Sequence, residues 1–137
     1  MRSGFDTNIL VSALISPGGP SDQLYQAWRD SRFSLITCEA QLEEFRRVTR
    51  YERVQRYFRP AKAGAMLNEL RALAIMVSDL PNVTASSDPA DNFLLAMASA
   101  GDADYLVSGD RRGVLSLGRF GRTQLVTLRQ FLEILGL

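Results

Sequence analysis

Apolar positions along the chain fall into short compact runs that alternate with stripes at helical spacing, marking strands and helices in turn. Residues 2–6 form a short first strand, a weak one by propensity because it carries Ser3 and Gly4. From Asn8 to Ile15, Ile9, Leu10, Ala13 and Leu14 share one helical face, and Ser16-Pro17-Gly18-Gly19 stops the helix. A second helix runs from near Ser21 to about Arg29 with Leu24, Tyr25 and Trp28 on one side. Phe33 to Thr37 is a compact strand. Glu39 to Val48 is helical, with Leu42, Phe45 and Val48 at every third position. The stretch from Thr49 to Arg59 makes one or two helical turns before Pro60, and a further helix runs from about Ala61 into the Leu70–Val77 region. Asp88-Pro89 starts another helix, an acceptor at the N-cap followed by proline at the first helical position; it reaches about Ala100 and stops at Gly101. Tyr105 to Ser108 and Gln124 to Thr127 are strands, and Arg129 to Leu135 is a closing helix.

Strands alternating with helices predict an α/β architecture with a mainly parallel sheet and helices on both faces. No repeat, linker or low-complexity block divides the 137 residues, so one domain spanning 1–137 is expected. In an open parallel sheet, ligands bind beyond the carboxyl ends of the strands. Two acids stand there by sequence: Asp6 after the first strand, and Asp110 after Leu106-Val107-Ser108-Gly109.

Composition narrows the chemistry. The chain has no histidine, which excludes Ser-His-Asp and Cys-His nucleophile pairs and every His-ligated metal. Its single cysteine, Cys38, can make neither an internal disulfide nor a Cys-rich zinc site, which fits a reducing compartment. No apolar run approaches a membrane span and no export signal opens the sequence, so a cytoplasmic protein without a membrane partner is the default expectation. Any catalysis must fall to carboxylates, with a hard cation.

The net charge of +1 hides a segregated distribution. Arg46, Arg47, Arg50, Arg53, Arg56, Arg59 and Lys62 stand against one acid, Glu52. Between Arg71 and Arg111 there is no base, yet Asp79, Asp88, Asp91, Asp102, Asp104 and Asp110 all occur. Near-neutrality therefore says nothing about partners. Fifteen of the 16 bases are arginine, which reflects either coding bias or planar recognition of phosphate and carboxylate.

Each acid has a plain structural alternative. Asp88 reads as an N-cap, Asp91 as an acid favoured by its helix's positive end, Glu39 as a helix-start acid, and Glu43, Asp102 and Asp104 as solvated surface. Asp6 is followed by Thr7-Asn8, which can orient it; Asp110 in Ser108-Gly109-Asp110 has the same character. Glu44 lies just off the stripe of Leu42 and Phe45, so it can lean over the sheet edge. Four carboxylates at one edge repel one another, each pair by ~1 kcal/mol in water and ~4 kcal/mol near a protein surface, unless cations neutralise them. Oxygen-only ligands select Mg²⁺ or Mn²⁺ over zinc.

Asp6-Thr7-Asn8-Ile9-Leu10, Gln41-Leu42-Glu43-Glu44-Phe45-Arg46-Arg47-Val48, Asp88-Pro89-Ala90-Asp91-Asn92-Phe93-Leu94-Leu95-Ala96 and Ala103-Asp104-Tyr105-Leu106-Val107-Ser108-Gly109-Asp110 together resemble a PIN domain over essentially the whole chain. More narrowly, the sequence is similar to PIN proteins described as toxins of bacterial toxin–antitoxin systems, of the VapC-like kind. The resemblance implies a three-layer α/β/α PIN-like fold around a mainly parallel sheet, and a metal-dependent endoribonuclease acting on single-stranded RNA. It implies an acidic set of Asp6, Glu44, Asp91 and Asp110 holding one or two Mg²⁺ or Mn²⁺ ions. Asn8 would support Asp6, and Ser108 would support the last acid. A cognate antitoxin and a homodimer follow from the same resemblance. The weakly apolar first strand, Arg2-Ser3-Gly4-Phe5, and Cys38, where the family commonly has serine, depart from its pattern.

A haloacid dehalogenase-like phosphatase needs a second aspartate where this chain has Asn8, and a receiver domain needs a lysine near its last strand, where none stands. A nucleotide-binding fold lacks its Gly-rich signature here. The remaining rival is a catalytically silent PIN-like module that binds RNA or protein. Tyr51, Tyr57 and Phe58 interleave the arginines of the basic segment, which makes Arg46, Arg50 and Arg53 candidate RNA contacts alongside a solvated helix or an antitoxin surface. Arg111 and Arg112, with Arg119 and Arg122, form a second candidate set beside the last acid.

Overall fold

A computed structural model describes residues 1–109 and 114–137. In chain order these form β1 (Arg2–Phe5), α1 (Thr7–Ile15), α2 (Pro20–Arg29), β2 (Ser34–Thr37), α3 (Glu39–Val48), α4 (Glu52–Gln55), α5 (Pro60–Leu73), β3 (Ile75–Met76), α6 (Pro89–Ala100), β4 (Tyr105–Ser108), a 3₁₀ turn at Val114–Leu117, β5 (Arg119–Phe120), β6 (Thr123–Thr127) and α7 (Leu128–Ile134). The sheet order is β3-β2-β1-β4-β6-β5, parallel throughout except for β5.

The central strands β1, β2 and β4 are buried on both faces, as parallel strands under helices must be. Leu35 and Val107 face one core with residues of α1, α2, α3, α5 and α7. Their neighbours Ile36 and Leu106 face the opposite core, built largely from α6. Three layers result. The first strand forms despite its composition because β2 and β4 pair with it on either side. Gly4 suits the crowding there: a Cβ would already meet Ile36, Leu106 and Met97 at 3.4 Å. Ser3 is less well served, its hydroxyl being buried without a hydrogen-bond partner among the described residues.

Two elements differ from the sequence pattern. The helix expected to run into Leu70–Val77 ends at Leu73, and Ile75–Met76 instead pair with Ile36 and Thr37 as the edge strand β3. Sheet pairing outweighs the helical pattern once Ala74 turns extended. The hairpin strand β5 has no counterpart in the pattern; it has only two residues and turns through Gly121 at φ +58°.

Candidate active site

The strand order reverses direction at β1, with β2 on one side and β4 on the other, so the crevice of this sheet lies at the carboxyl ends of β1 and β4. Phe5 pairs with Val107, which places Asp6 and Ser108 side by side just beyond. The Asp6 amide donates to the Val107 carbonyl at 2.8 Å, locking the chain crossing at that point. The Ser108 hydroxyl donates to Asp6 Oδ2 at 3.1 Å, and the Asn8 amide donates to Oδ1 at 3.2 Å. Asp6 is thereby also the N-cap of α1. The contact of Asn8 with Asp6 is through its backbone amide, and the residue is exposed. Ser108, expected to support the last acid, donates to the first.

Three helices begin at this edge. Asp6 caps α1, and α3 begins two residues after β2 ends. The loop after α6 meets the amino end of β1, where Asp104 binds the Arg2 amide and the Arg2 guanidinium reaches the Gly101 carbonyl, so the start of α6 lies at the carboxyl edge. Helix N-termini favour carboxylates and phosphates. Asp91 stands in the first turn of α6, half-buried, and its Oδ2 accepts from the Ser86 hydroxyl at 3.0 Å. Ser86 is in turn held by Asn92, which bonds both its amide and its carbonyl at 2.8 Å. Asp88 is the N-cap expected of it, accepting from the Ala90 amide.

Glu44 is half-buried on α3, whereas Glu43 is exposed and pairs with Arg46 at 3.5 Å. One turn before Glu44 on the same face lies Gln41, which the pattern does not single out. Its buried amide donates to the Phe5 carbonyl at 2.6 Å and accepts from the Thr37 hydroxyl at 2.7 Å. Gln41 therefore ties α3 to the ends of β1 and β2, immediately beside Asp6. Its signal in the sequence is a polar residue within a buried helical stripe, four residues after the threonine that ends β2. Cys38, at the end of β2, is buried, and this pushes its thiol up from the ordinary range, with the charges of Glu39 and Glu44 adding to the effect. Such a thiol is unreactive.

Among the described residues no three acids stand close enough together to hold a metal ion. Asp6, Glu44 and Asp91 alone do not close such a cluster, and Asp110, with Arg111 and Arg112, lies outside the described residues. The donor chemistry nevertheless suits a hard divalent cation, since the acids at this edge offer oxygen only and the chain has no imidazole.

Several surface residues take on other roles. Asp104 is no mere solvated acid: it accepts from the Arg2 amide at 2.9 Å and from Arg122 at 2.7 Å, and these bonds hold its carboxyl below the usual range. Arg122 is thus engaged at the amino edge of the sheet, opposite the acids, and Arg119 pairs with Gln124 toward the same edge. Neither flanks the carboxyl edge. Arg46 on α3, Arg50 in the turn after it and Arg53 on α4 are exposed. No helix among the described residues is long and apolar enough to cross a membrane.

Comparison with protein-family profiles matches residues 3–112 to the PIN domain. Proteins built on this domain are generally nucleases and generally use divalent metal ions. No curated protein matches the chain significantly. The match spans most of the chain and includes β1, α3, α6 and β4, the elements that build the carboxyl edge, and the chain belongs to the PIN domain family.

Proposed function

We propose that the chain is a divalent-metal-dependent endoribonuclease that hydrolyses phosphodiester bonds of single-stranded RNA. The observation that carries this reading is Asp6, fixed at the switch point of the sheet by Ser108 and the Asn8 amide. Asp6, Glu44, Asp91 and Asp110 would hold one or two Mg²⁺ or Mn²⁺ ions, which when bound activate water and offset charge on the scissile phosphate. Ser108 sets the orientation of the Asp6 carboxylate, and Ser86 sets that of Asp91. Gln41 holds the face of α3 that carries Glu44 against the end of β1. The N-termini of α1, α3 and α6 supply a positive field for an incoming phosphate.

Within this reading the protein is the toxin of a toxin–antitoxin pair, working in the cytoplasm as a homodimer and silenced by a cognate antitoxin protein. Support for that role is the motif resemblance alone. End-group analysis of cleaved RNA tests the chemistry. Hydrolysis by water predicts 5′-phosphate and 3′-hydroxyl ends. A 2′,3′-cyclic phosphate would signal attack by the RNA's own hydroxyl and overturn the mechanism.

A further inference from the structure

The basic segment leaves the acid edge along α3, and its surface is shaped as well as charged. A depression of about 360 Å³ is lined by Glu43, Arg46, Arg47, Arg50 and Tyr51. A second, of about 210 Å³, shares Arg46 and Arg50 with it and adds the apolar walls of Phe45, Phe58 and Leu67. A third, broader and open, shares Tyr51 and continues to Arg53 and Arg56. The shared residues set these depressions side by side as a grooved surface, on which Glu43 and Glu52 are the acids. This surface begins at Glu43, one residue from Glu44, follows α3 to its end at Val48 and passes Arg50 in the turn onto α4.

Among the described residues, no acid forms an ion pair with Arg47, Arg50, Arg53 or Arg56. Arg46 pairs with Glu43, and that pair is exposed. Tyr51 is 40% exposed and carries the Arg53 guanidinium 5.6 Å from its ring centroid. Tyr57, nearby in sequence, is 60% exposed. Exposed rings beside arginines offer stacking as well as charge, and a partner recognised by charge alone has no use for the stacking. Phosphates spaced along a strand whose bases are free to stack would use both.

Resting on the ribonuclease reading, we infer that this groove is a track for the substrate strand: Arg47, Arg50 and Arg53 contact successive phosphates, and Tyr51 is the platform on which a base stacks. The track lies outside the acid site, so it binds RNA without metal.

The test is fluorescence anisotropy of a short labelled oligouridylate with the full-length chain in EDTA, from about 50 to about 200 mM salt. The expected result is that Arg47→Ala, Arg50→Ala and Arg53→Ala each flatten the logarithmic salt slope by about 0.7, the increment for one single-strand phosphate that is no longer neutralised. Arg50→Lys keeps the slope. Tyr51→Ala weakens binding about fivefold or more with the slope unchanged, and Tyr51→Phe restores it. All these side chains are exposed or on the surface turns, and thermal melts identify any variant that unfolds; for such a variant the lysine or phenylalanine counterpart decides.

Unchanged slopes in the arginine variants overturn the track, as does absence of binding by the wild-type chain. Displacement of the RNA by a glutamate-rich peptide, together with no effect of Tyr51→Ala, also overturns it and reassigns the groove to an acidic protein segment. The same RNA incubated with Mn²⁺ separates the two claims. Cleavage with unaltered slopes sinks the track and leaves the hydrolase. Altered slopes without cleavage sink the hydrolase and leave the track.

Discussion

Replacing Gln41 by methionine keeps the volume of the side chain and removes both ends of its hydrogen bonding. The Phe5 carbonyl then loses a 2.6 Å donor and the Thr37 hydroxyl loses a 2.7 Å acceptor, at a position only 1% exposed. Each stranded buried group costs about 1–2 kcal/mol, so the variant should lose about 2–4 kcal/mol of stability. At this chain length that corresponds to a fall in Tm of about 6–16 °C. Trp28 is the sole tryptophan, buried and edge-on to Tyr25, so its fluorescence in a urea titration reports the transition. Thr37→Val in the Gln41→Met background should cost less than in the wild type, because its hydroxyl is then already unpaired; the coupling should be about 1–2 kcal/mol. RNA cleavage by Gln41→Met should also fall at temperatures where the variant is fully folded, since α3 is no longer tied beside Asp6. A stability within about 0.5 kcal/mol of wild type, or additive effects of the two substitutions, would refute the clamp.

Ser108→Ala should leave the fold intact and lower cleavage about 10- to 100-fold, with a raised Mn²⁺ requirement, because it removes one of the bonds that orient the Asp6 carboxylate; a metal titration of the initial rate checks this. Asp104 has a folded pKa held below its ordinary value, so its contribution is present above the unfolded pKa and is lost as pH falls through the folded one. Asp104→Asn should therefore flatten the acid limb of the urea midpoint, the two proteins converging as pH falls through the folded pKa of Asp104, measured by Trp28 fluorescence. Ser3→Ala removes a buried hydroxyl that has no partner among the described residues, and should stabilise the chain by about 1 kcal/mol, read as a rise in Tm by calorimetry.

The layered architecture and most helices are readable from the sequence because period and punctuation agree: Asp88-Pro89 opens α6, Gly101 ends it, and Leu42 and Phe45 set the inner face of α3. Two-residue strands are not readable, since Ile75–Met76 and Arg119–Phe120 are too short to show a period and exist only through pairing with β2 and β6. Asp6, Glu44 and Asp91 can be named as candidates from motif and position, while most of the bonds that hold them cannot. Gln41 and Ser86 act across 36 and five residues of sequence, respectively, and only the folded sheet brings Gln41 to the end of β1. Ser108 stands out in the linear motif as a neighbour of Asp110, but its bond to Asp6 does not, because it arises from the parallel pairing of β1 with β4.

The most direct test of metal-dependent RNA hydrolysis is cleavage of a single-stranded RNA by the purified full-length chain across a Mn²⁺ titration, set against Asp6→Asn. Cleavage that rises with Mn²⁺, disappears in EDTA and is abolished in Asp6→Asn, whose melting curve stays cooperative, is the predicted result. Cleavage unaffected by Asp6→Asn, or no cleavage in Mn²⁺ or Mg²⁺ by protein stripped of any bound inhibitor, would contradict it.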